Sequence, residues 1–195
     1  MYQFLPAPDY VGKEENWVCV DGVFKDEELH KIIEIGDSLE SKNGIVGSDA
    51  RVDEVVRKCK TSWISYSDES KFIFNTLGEV VVRVNAVHFG FNLYGFVESF
   101  QYTTYTDGSD HYDWHMDKGL LSSPPRKLSA VLMLSNPDDY EGGDLELMPS
   151  SNVVKTEKKF GRIFIFPSWL LHRVTPVTKG TRKSLVSWVS GPKFV

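Results

Sequence analysis

From residue 96 onward the chain alternates short apolar runs with turn-forming clusters. Residues 97–104, 128–134, 145–148, 162–166 and 184–189 carry the β-branched and aromatic side chains of strands. Ser122-Ser123-Pro124-Pro125 and Asn136-Pro137-Asp138-Asp139 break the runs. The first half reads differently. Trp17-Val18-Cys19-Val20 predicts a short strand, and Asp26 is a candidate N-cap for a helix with the apolar stripe Leu29, Ile32, Ile33 and Leu39. Residues 41–50, with two glycines among Asn, Ser and Asp, read as a loop. Residues 51–65 fit a strand with a loop reaching toward a site. Residues 70–88 read as a helix, although Val80, Val81, Val82 and Val84 weaken its centre. Many strands behind two helical segments predict a mainly β protein with flanking helices (α+β). The expected form is a two-sheet jelly roll with the N-terminal helices packed on one sheet.

Length adds that one domain over residues 1–195 can bury a real core. Residues 1–95 would supply helical support and loops, and residues 96–195 most of the β core and the site. Two cysteines in unlike contexts, Cys19 and Cys59, form no metal-type spacing and read as inert thiols. No apolar run reaches the roughly 18 residues of a membrane span, and Met1-Tyr2-Gln3-Phe4-Leu5-Pro6-Ala7-Pro8 lacks the layout of a signal peptide. A cytoplasmic protein is expected. The net charge of −5 gives no general attraction to nucleic acid or anionic membrane, so neither is an expected partner. The run from Lys155 to Lys159 reads as a solvated strand end or loop.

The chemistry concentrates in His115-Met116-Asp117 and His172. In an extended chain, residues i and i+2 share a face, so one short strand can present an imidazole beside a carboxylate. His172 follows the apolar run of residues 162–166 and a Pro167-Ser168 turn, and closes a third corner. Two His and one carboxylate with adjacent open positions form the donor set of non-haem Fe(II) oxygenases. The other histidines read otherwise: His30 as a partly exposed helix residue, His88 as a core or cap residue. His111 would pair with His115 only on a helix, against the turn residues around Gly108. Arg182 and Ser184 project to one face of a later strand, together with Val186 and Trp188. A guanidinium fork with a neighbouring hydroxyl suits a carboxylate.

Residues 100–192 resemble the Fe(II)/2-oxoglutarate-dependent dioxygenases of the prolyl 4-hydroxylase type. The resemblance rests on Tyr105, Tyr112-Asp113-Trp114-His115-Met116-Asp117, Arg126-Lys127-Leu128-Ser129, Tyr140-Glu141-Gly142-Gly143-Asp144, Phe166-Pro167-Ser168, His172-Arg173-Val174 and Gly180-Thr181-Arg182, in family order. It implies a double-stranded β-helix with His115, Asp117 and His172 as iron ligands. It also implies Arg182, Tyr105 and Ser184 around 2-oxoglutarate, and Tyr112, Arg126 and Trp188 around a substrate proline. Fe(II), 2-oxoglutarate and O2 are the implied cofactors, with ascorbate as an accessory reductant. Two departures stand out. Arg182 fills a place where many prolyl 4-hydroxylases have Lys, and Met133 one where several members have a co-substrate-touching Tyr.

The resulting reading is a hydroxylase of an unactivated C–H, with a proline-containing peptide or protein as first-choice substrate. The alternative is a free amino acid or other small metabolite. A non-catalytic β-helix binding module is the reading from a different class, disfavoured because all three ligand positions and the arginine are filled.

Overall fold

The structure, a computed structural model, describes residues 16–45, 52–118 and 124–193. Most of the expected loop over 41–50, Ser122-Ser123 of one expected break and the first eight residues lie outside the described residues. Strand β1 (Val18–Val20) leads to helix α1 (Asp26–Ser38), and β2 (Lys42–Asn43), β3 (Arg57–Lys58) and β4 (Lys60–Ile64) precede helix α2 (Lys71–Val84). A π-helical turn, Asn85–Phe89, closes α2 before β5 (Gly95–Phe96), β6 (Phe100–Thr106), β7 (His111–His115) and β8 (Arg126–Met133). The last stretch holds β9 (Tyr140–Gly142), β10 (Leu145–Met148), β11 (Val154–Lys155), β12 (Ile163–Pro167), β13 (Leu171–Val174) and β14 (Val177–Ser190).

Two antiparallel sheets result. The larger runs β1-β12-β8-β14-β6-β4-β2, with β5 and β9 also paired to β14, and the smaller runs β11-β10-β13-β7-β3. This is the expected jelly roll with helices on one face, and alternation along the strands decides which side chains face which layer. Leu128, Ala130 and Leu132 of β8, Ile163 and Ile165 of β12, and Leu185 and Val189 of β14 pack in one core with Leu29 and Ile32 of α1 and Ile73, Leu77 and Val80 of α2. The alternate residues Val131, Met133, Phe164 and Phe166 turn the other way, against Leu145 and Leu147 of the small sheet. Both faces of the large sheet are therefore covered, which is why its central strands read as unbroken apolar runs. Each fully buried side chain such as Ile32, Ile73 or Leu128 contributes roughly 1.5–3 kcal/mol by leaving water.

The helix boundaries correct one expectation. The N-cap of α1 is Lys25, whose main-chain amide donates to Glu28 Oε2 at 2.9 Å, and Asp26 is the first helical residue. Glu28 reaching back one turn does the capping, and Asp26, Glu27 and Glu28 put negative charge on the helix's positive end. The buried stripe is Leu29, Ile32, Ile35 and Gly36, while Ile33 is only partly buried and Leu39 lies past the helix end. Gly36 belongs there because a Cβ would come within 2.5 Å of the Tyr102 ring on β6. Lys155 and Lys158 are paired with Asp144, and Lys159 with Asp21, rather than simply solvated. Among the described residues no helix is long and apolar enough to cross a membrane.

Candidate active site

Residues of both sheets line a cavity of about 570 Å³. All nine residues singled out from the sequence line it: Tyr105, Tyr112, His115, Asp117, Arg126, His172, Arg182, Ser184 and Trp188. On the small sheet, β13 and β7 run antiparallel with His172 opposite His115, so pairing register alone brings the two imidazoles together. Asp117 sits two residues past His115, beyond the end of β7. Its Oδ1 lies 3.6 Å from His115 Nε2 and its Oδ2 3.5 Å from His172 Nε2. The three donor atoms lie within 4.8 Å of one another.

Main-chain contacts fix which ring nitrogens face inward. His115 Nδ1 is 2.7 Å from the Asp113 carbonyl and His172 Nδ1 is 2.8 Å from the Leu170 carbonyl. A carbonyl only accepts, so each Nδ1 carries a hydrogen, and in the neutral ring Nε2 is the nitrogen left with a lone pair for the centre. Tyr112 stacks on His115 at 3.5 Å between ring centroids, and Phe166 meets His172 edge-on at 4.8 Å.

Charges in this cluster are unequal. Burial, helped by the neighbouring His172, presses the His115 pKa down to about 3. Burial also works against a proton on His172, but Asp117 beside it outweighs that and raises its pKa. Burial penalises the Asp117 carboxylate as well, yet His172 and then His115 hold its pKa well below the usual range. The donor set is thus two neutral-capable imidazoles and a committed carboxylate, which fits a first-row divalent metal with nitrogen and oxygen preference.

Asp117 has support that the sequence did not reveal. Ser129 Oγ donates to Asp117 Oδ2 at 2.8 Å, and Ser168 Oγ lies 3.1 Å from Ser129 Oγ. Both serines are wholly buried. Ser129 comes from β8 of the large sheet, so this bond ties the two sheets together at the carboxylate. The only sequence signal for it is a hydroxyl inside the apolar run Leu128-Ser129-Ala130-Val131, at the parity that faces the cavity.

At the other end, Arg182 is 1% exposed. It stands opposite Tyr105 in the β6–β14 pairing, with its guanidinium carbon 5.2 Å from the Tyr105 ring centroid. Its Nη1 donates to Ser184 Oγ at 3.1 Å, and its Nη2 lies 3.6 Å from the Met133 sulfur. Met133 thus occupies the space next to the arginine, in contact through sulfur. Among the described residues Arg182 Nε has no hydrogen-bond partner. A buried cation without a carboxylate partner among the described residues is ready-made for a carboxylate ligand.

Arg126 sits on the same large sheet, next to Trp188 at the other end of the cavity from Arg182. Its Nε and Nη2 grip Glu98 at 2.8 and 2.6 Å, and its Nη1 donates to the Asp117 carbonyl at 3.2 Å. Its guanidinium carbon lies 3.7 Å over the Trp188 ring, and Trp188 tilts against Trp63 at 6.1 Å. Glu98, Trp63 and Arg57 are cavity residues that sequence reasoning missed. The remaining histidines lie elsewhere: His30 on the exposed side of α1 against Phe160, and His88 in the π turn. His111 is on strand β7, not a helix, and bonds the Ser109 and Val55 carbonyls.

A family model described as "2OG-Fe(II) oxygenase superfamily" matches residues 100–190. A "PKHD-type hydroxylase" of Teredinibacter turnerae is 32% identical over 130 residues, covering 63% of this chain and 57% of that protein. One of Prochlorococcus marinus is 28% identical over 171 residues, covering 88% and 71% respectively. The match to a Synechococcus relative, 42% identical over 84 residues, spans 38% of that protein. This chain thus spans between about two-fifths and three-fifths of the length of the first two curated relatives matched here by identity above 30%. Among solved structures, a Trichoplax adhaerens prolyl hydroxylase in complex with a hypoxia inducible factor peptide fragment superposes with a TM-score of 0.76 at 18% identity, over 90% of this chain and 83% of that one. A Pseudomonas putida prolyl-4-hydroxylase gives 0.71 at 19%, over 91% and 94%. At such identities these two speak for the fold, and they share it with this chain.

Proposed function

We propose that this protein is an Fe(II)- and 2-oxoglutarate-dependent hydroxylase of unactivated C–H bonds, a reading supported by the match of residues 100–190 to the 2OG-Fe(II) oxygenase superfamily model. The observation that carries the reading is one cavity with a converging His115, Asp117 and His172 at one wall and, at another, a buried Arg182 with no carboxylate partner among the described residues. Fe(II), with 2-oxoglutarate and O2, supplies the oxidising power that puts one oxygen atom into the substrate and the other into succinate, with loss of CO2.

The protein's part is positioning. His115 and His172 present Nε2, and Asp117 presents the carboxylate oxygen that Ser129 leaves unbonded. Arg182, with Ser184 beside it and Tyr105 beneath, receives the distal carboxylate of 2-oxoglutarate, where a bidentate pair fixes the molecule's orientation. The apolar wall of Val131, Leu145 and Val174 keeps water away from that end. Tyr112, Arg126 and Trp188 form the substrate side, with Arg126 held rigid by Glu98 and the Trp188 face.

Peptidyl proline is the proposed substrate. The Trichoplax relative in fold is bound to a peptide, and two aromatic rings beside an arginine provide a flat apolar seat for a pyrrolidine ring. Residues 1–195 are proposed to act as one unit, in a reducing cytoplasmic setting compatible with the free thiols Cys19 and Cys59. The test is succinate release from the Fe(II)-loaded protein with 2-oxoglutarate in air, with and without proline-rich peptides, and mass analysis of the peptide. Peptide-stimulated succinate with one added oxygen, lost in Asp117→Ala and His172→Ala, is the expected result. Full turnover in either variant refutes the metal assignment.

A further inference from the structure

Arg57 has no part in the reading above, yet it lines the same cavity and is only 6% exposed. It lies on β3 opposite Tyr112 of β7, with its guanidinium carbon 4.4 Å from that ring's centroid. Nε donates to Cys59 Sγ at 3.2 Å and Nη1 to the Ile45 carbonyl at 3.1 Å, while Nη2 meets no acceptor among the described residues. No carboxylate among the described residues pairs with it. Arginine cannot shed its charge, and a thiol, one carbonyl and a ring face are poor compensation for lost water.

Arg182 is in the same condition, and Tyr105 lies within electrostatic reach of both guanidiniums. The co-substrate resolves only one of them. Of the two carboxylates of 2-oxoglutarate, one belongs at the metal and the other at Arg182. At about 570 Å³ the cavity is in the range that takes a drug-sized ligand, more than this small diacid fills. A second anion has both the space and a waiting cation.

We propose that Arg57 is the anion-recognition point for the primary substrate, which brings a carboxylate of its own into the cavity. Arg57 touches Tyr112, and Tyr112 stacks on His115, so a carboxylate held there sits one aromatic ring from a metal ligand. The carbon to be hydroxylated then lies within a residue's length of the negative charge. Two sources share this chemistry: an acidic side chain flanking the target residue of a peptide, or the α-carboxylate of a free amino acid. The inference rests on the oxygenase reading, and the test separates the two.

Binding is measured on the full chain loaded with Mn(II) and 2-oxoglutarate without oxygen, by quenching of the tryptophan fluorescence to which Trp63 and Trp188 in the cavity contribute. One pair of probes is a blocked proline peptide carrying either Glu or Gln beside the proline. The other pair is L-proline and L-prolinamide. The carboxylate member of one pair should bind about 10-fold or more tightly than its amide, the scale of one charge-assisted hydrogen bond. In Arg57→Gln that gap should shrink to about 2-fold or less, with partial recovery in Arg57→Lys. A gap in the peptide pair identifies an acidic peptide, and a gap in the proline pair a free amino acid. Absence of a gap in both pairs overturns the proposal, and so does a gap unchanged in Arg57→Gln. The first comparison uses unaltered protein, so a misfolded variant cannot rescue or sink the idea. Substrate-independent succinate release from the Fe(II) protein reads the oxygenase assignment separately.

Discussion

Replacing Ser129 with Ala removes a single hydroxyl from a wholly buried position, and the structure sets how much that should matter. The hydroxyl donates to Asp117 Oδ2 at 2.8 Å, a short bond to an ionised acceptor. Bonds of this type contribute about 1.5–3 kcal/mol, which at about 1.4 kcal/mol per decade is roughly 10- to 150-fold in an equilibrium constant. The effect of removing a partner of a metal ligand in other sites, about 10- to 100-fold in metal affinity, falls in the same range. Ser129→Ala should therefore weaken Mn(II) or Co(II) binding by one to two decades, measured by titration against a competing chelator. The mutation also strips Ser168 Oγ of its neighbour at 3.1 Å, a cost present with or without metal. Urea unfolding of the metal-free protein reads that cost together with the lost Asp117 bond, and the metal titration reads what the bond adds once metal is held. Ser129→Thr, which keeps the hydroxyl, should recover most of the affinity. Mn(II) affinity within about 2-fold of the original protein in Ser129→Ala would refute the reasoning.

Other outcomes follow from the same geometry. Arg182→Met should raise the 2-oxoglutarate dissociation constant by about 30-fold or more, as truncating one side of a buried charge pair does, while metal-free stability stays level or rises because an unpaired buried charge is gone. A large fall in metal-free stability would show that Arg182 already has a charged partner. His172 has its pKa raised by Asp117, so the metal-free fold retains its proton above the ordinary value of 6.5, and the associated stability is present below 6.5 and lost as pH rises through the raised value. Metal uptake must expel that proton, so affinity should fall by about 10-fold per pH unit below the raised value. Calorimetry in buffers of different ionisation enthalpy counts the proton, and a count of zero near pH 6 would contradict this. Gly180 has φ +75°, and a Cβ there would sit 2.0 Å from the Asp139 carbonyl oxygen. Gly180→Ala should cost about 3 kcal/mol in overpacking and backbone strain, lowering the melting temperature by roughly 6–12 °C, and an unchanged melting curve would refute it.

The sequence disclosed whatever depends on local pattern. The strands around 128–134, 145–148 and 162–166, the helix after Ser70, and the His115, Asp117 and His172 triad are all readable from periodicity and residue chemistry. What it hid depends on register between distant segments. Ser129 acquires its role because β8 turns its odd-numbered residues toward a carboxylate from the other sheet. Arg57 looks like one more cation in Arg57-Lys58-Cys59-Lys60 until β3 lies beside β7 and buries it against Tyr112. At Asp26 a strong cap former is passed over, because the glutamate two residues on reaches back to the preceding amide. Residues 184–189 showed only the apolar end of a strand that begins at Val177, since Lys179, Gly180 and Lys183 conceal its start.

That long strand also acts as a ruler. Arg182, Ser184, Val186 and Trp188 all line the cavity, at every second residue of β14. At about 3.4 Å per residue the six steps from Arg182 to Trp188 span roughly 20 Å, fixed by bond lengths rather than by packing. Substitution can exchange the side chains at those alternate marks, but it cannot slide Arg182 relative to Trp188. Inserting or deleting a single residue between them would invert the parity beyond it and turn Trp188 toward the helices. Under the proposed function, the distance between the co-substrate end at Arg182 and the substrate end at Trp188 comes with the strand, and new specificity has to be written in its side chains.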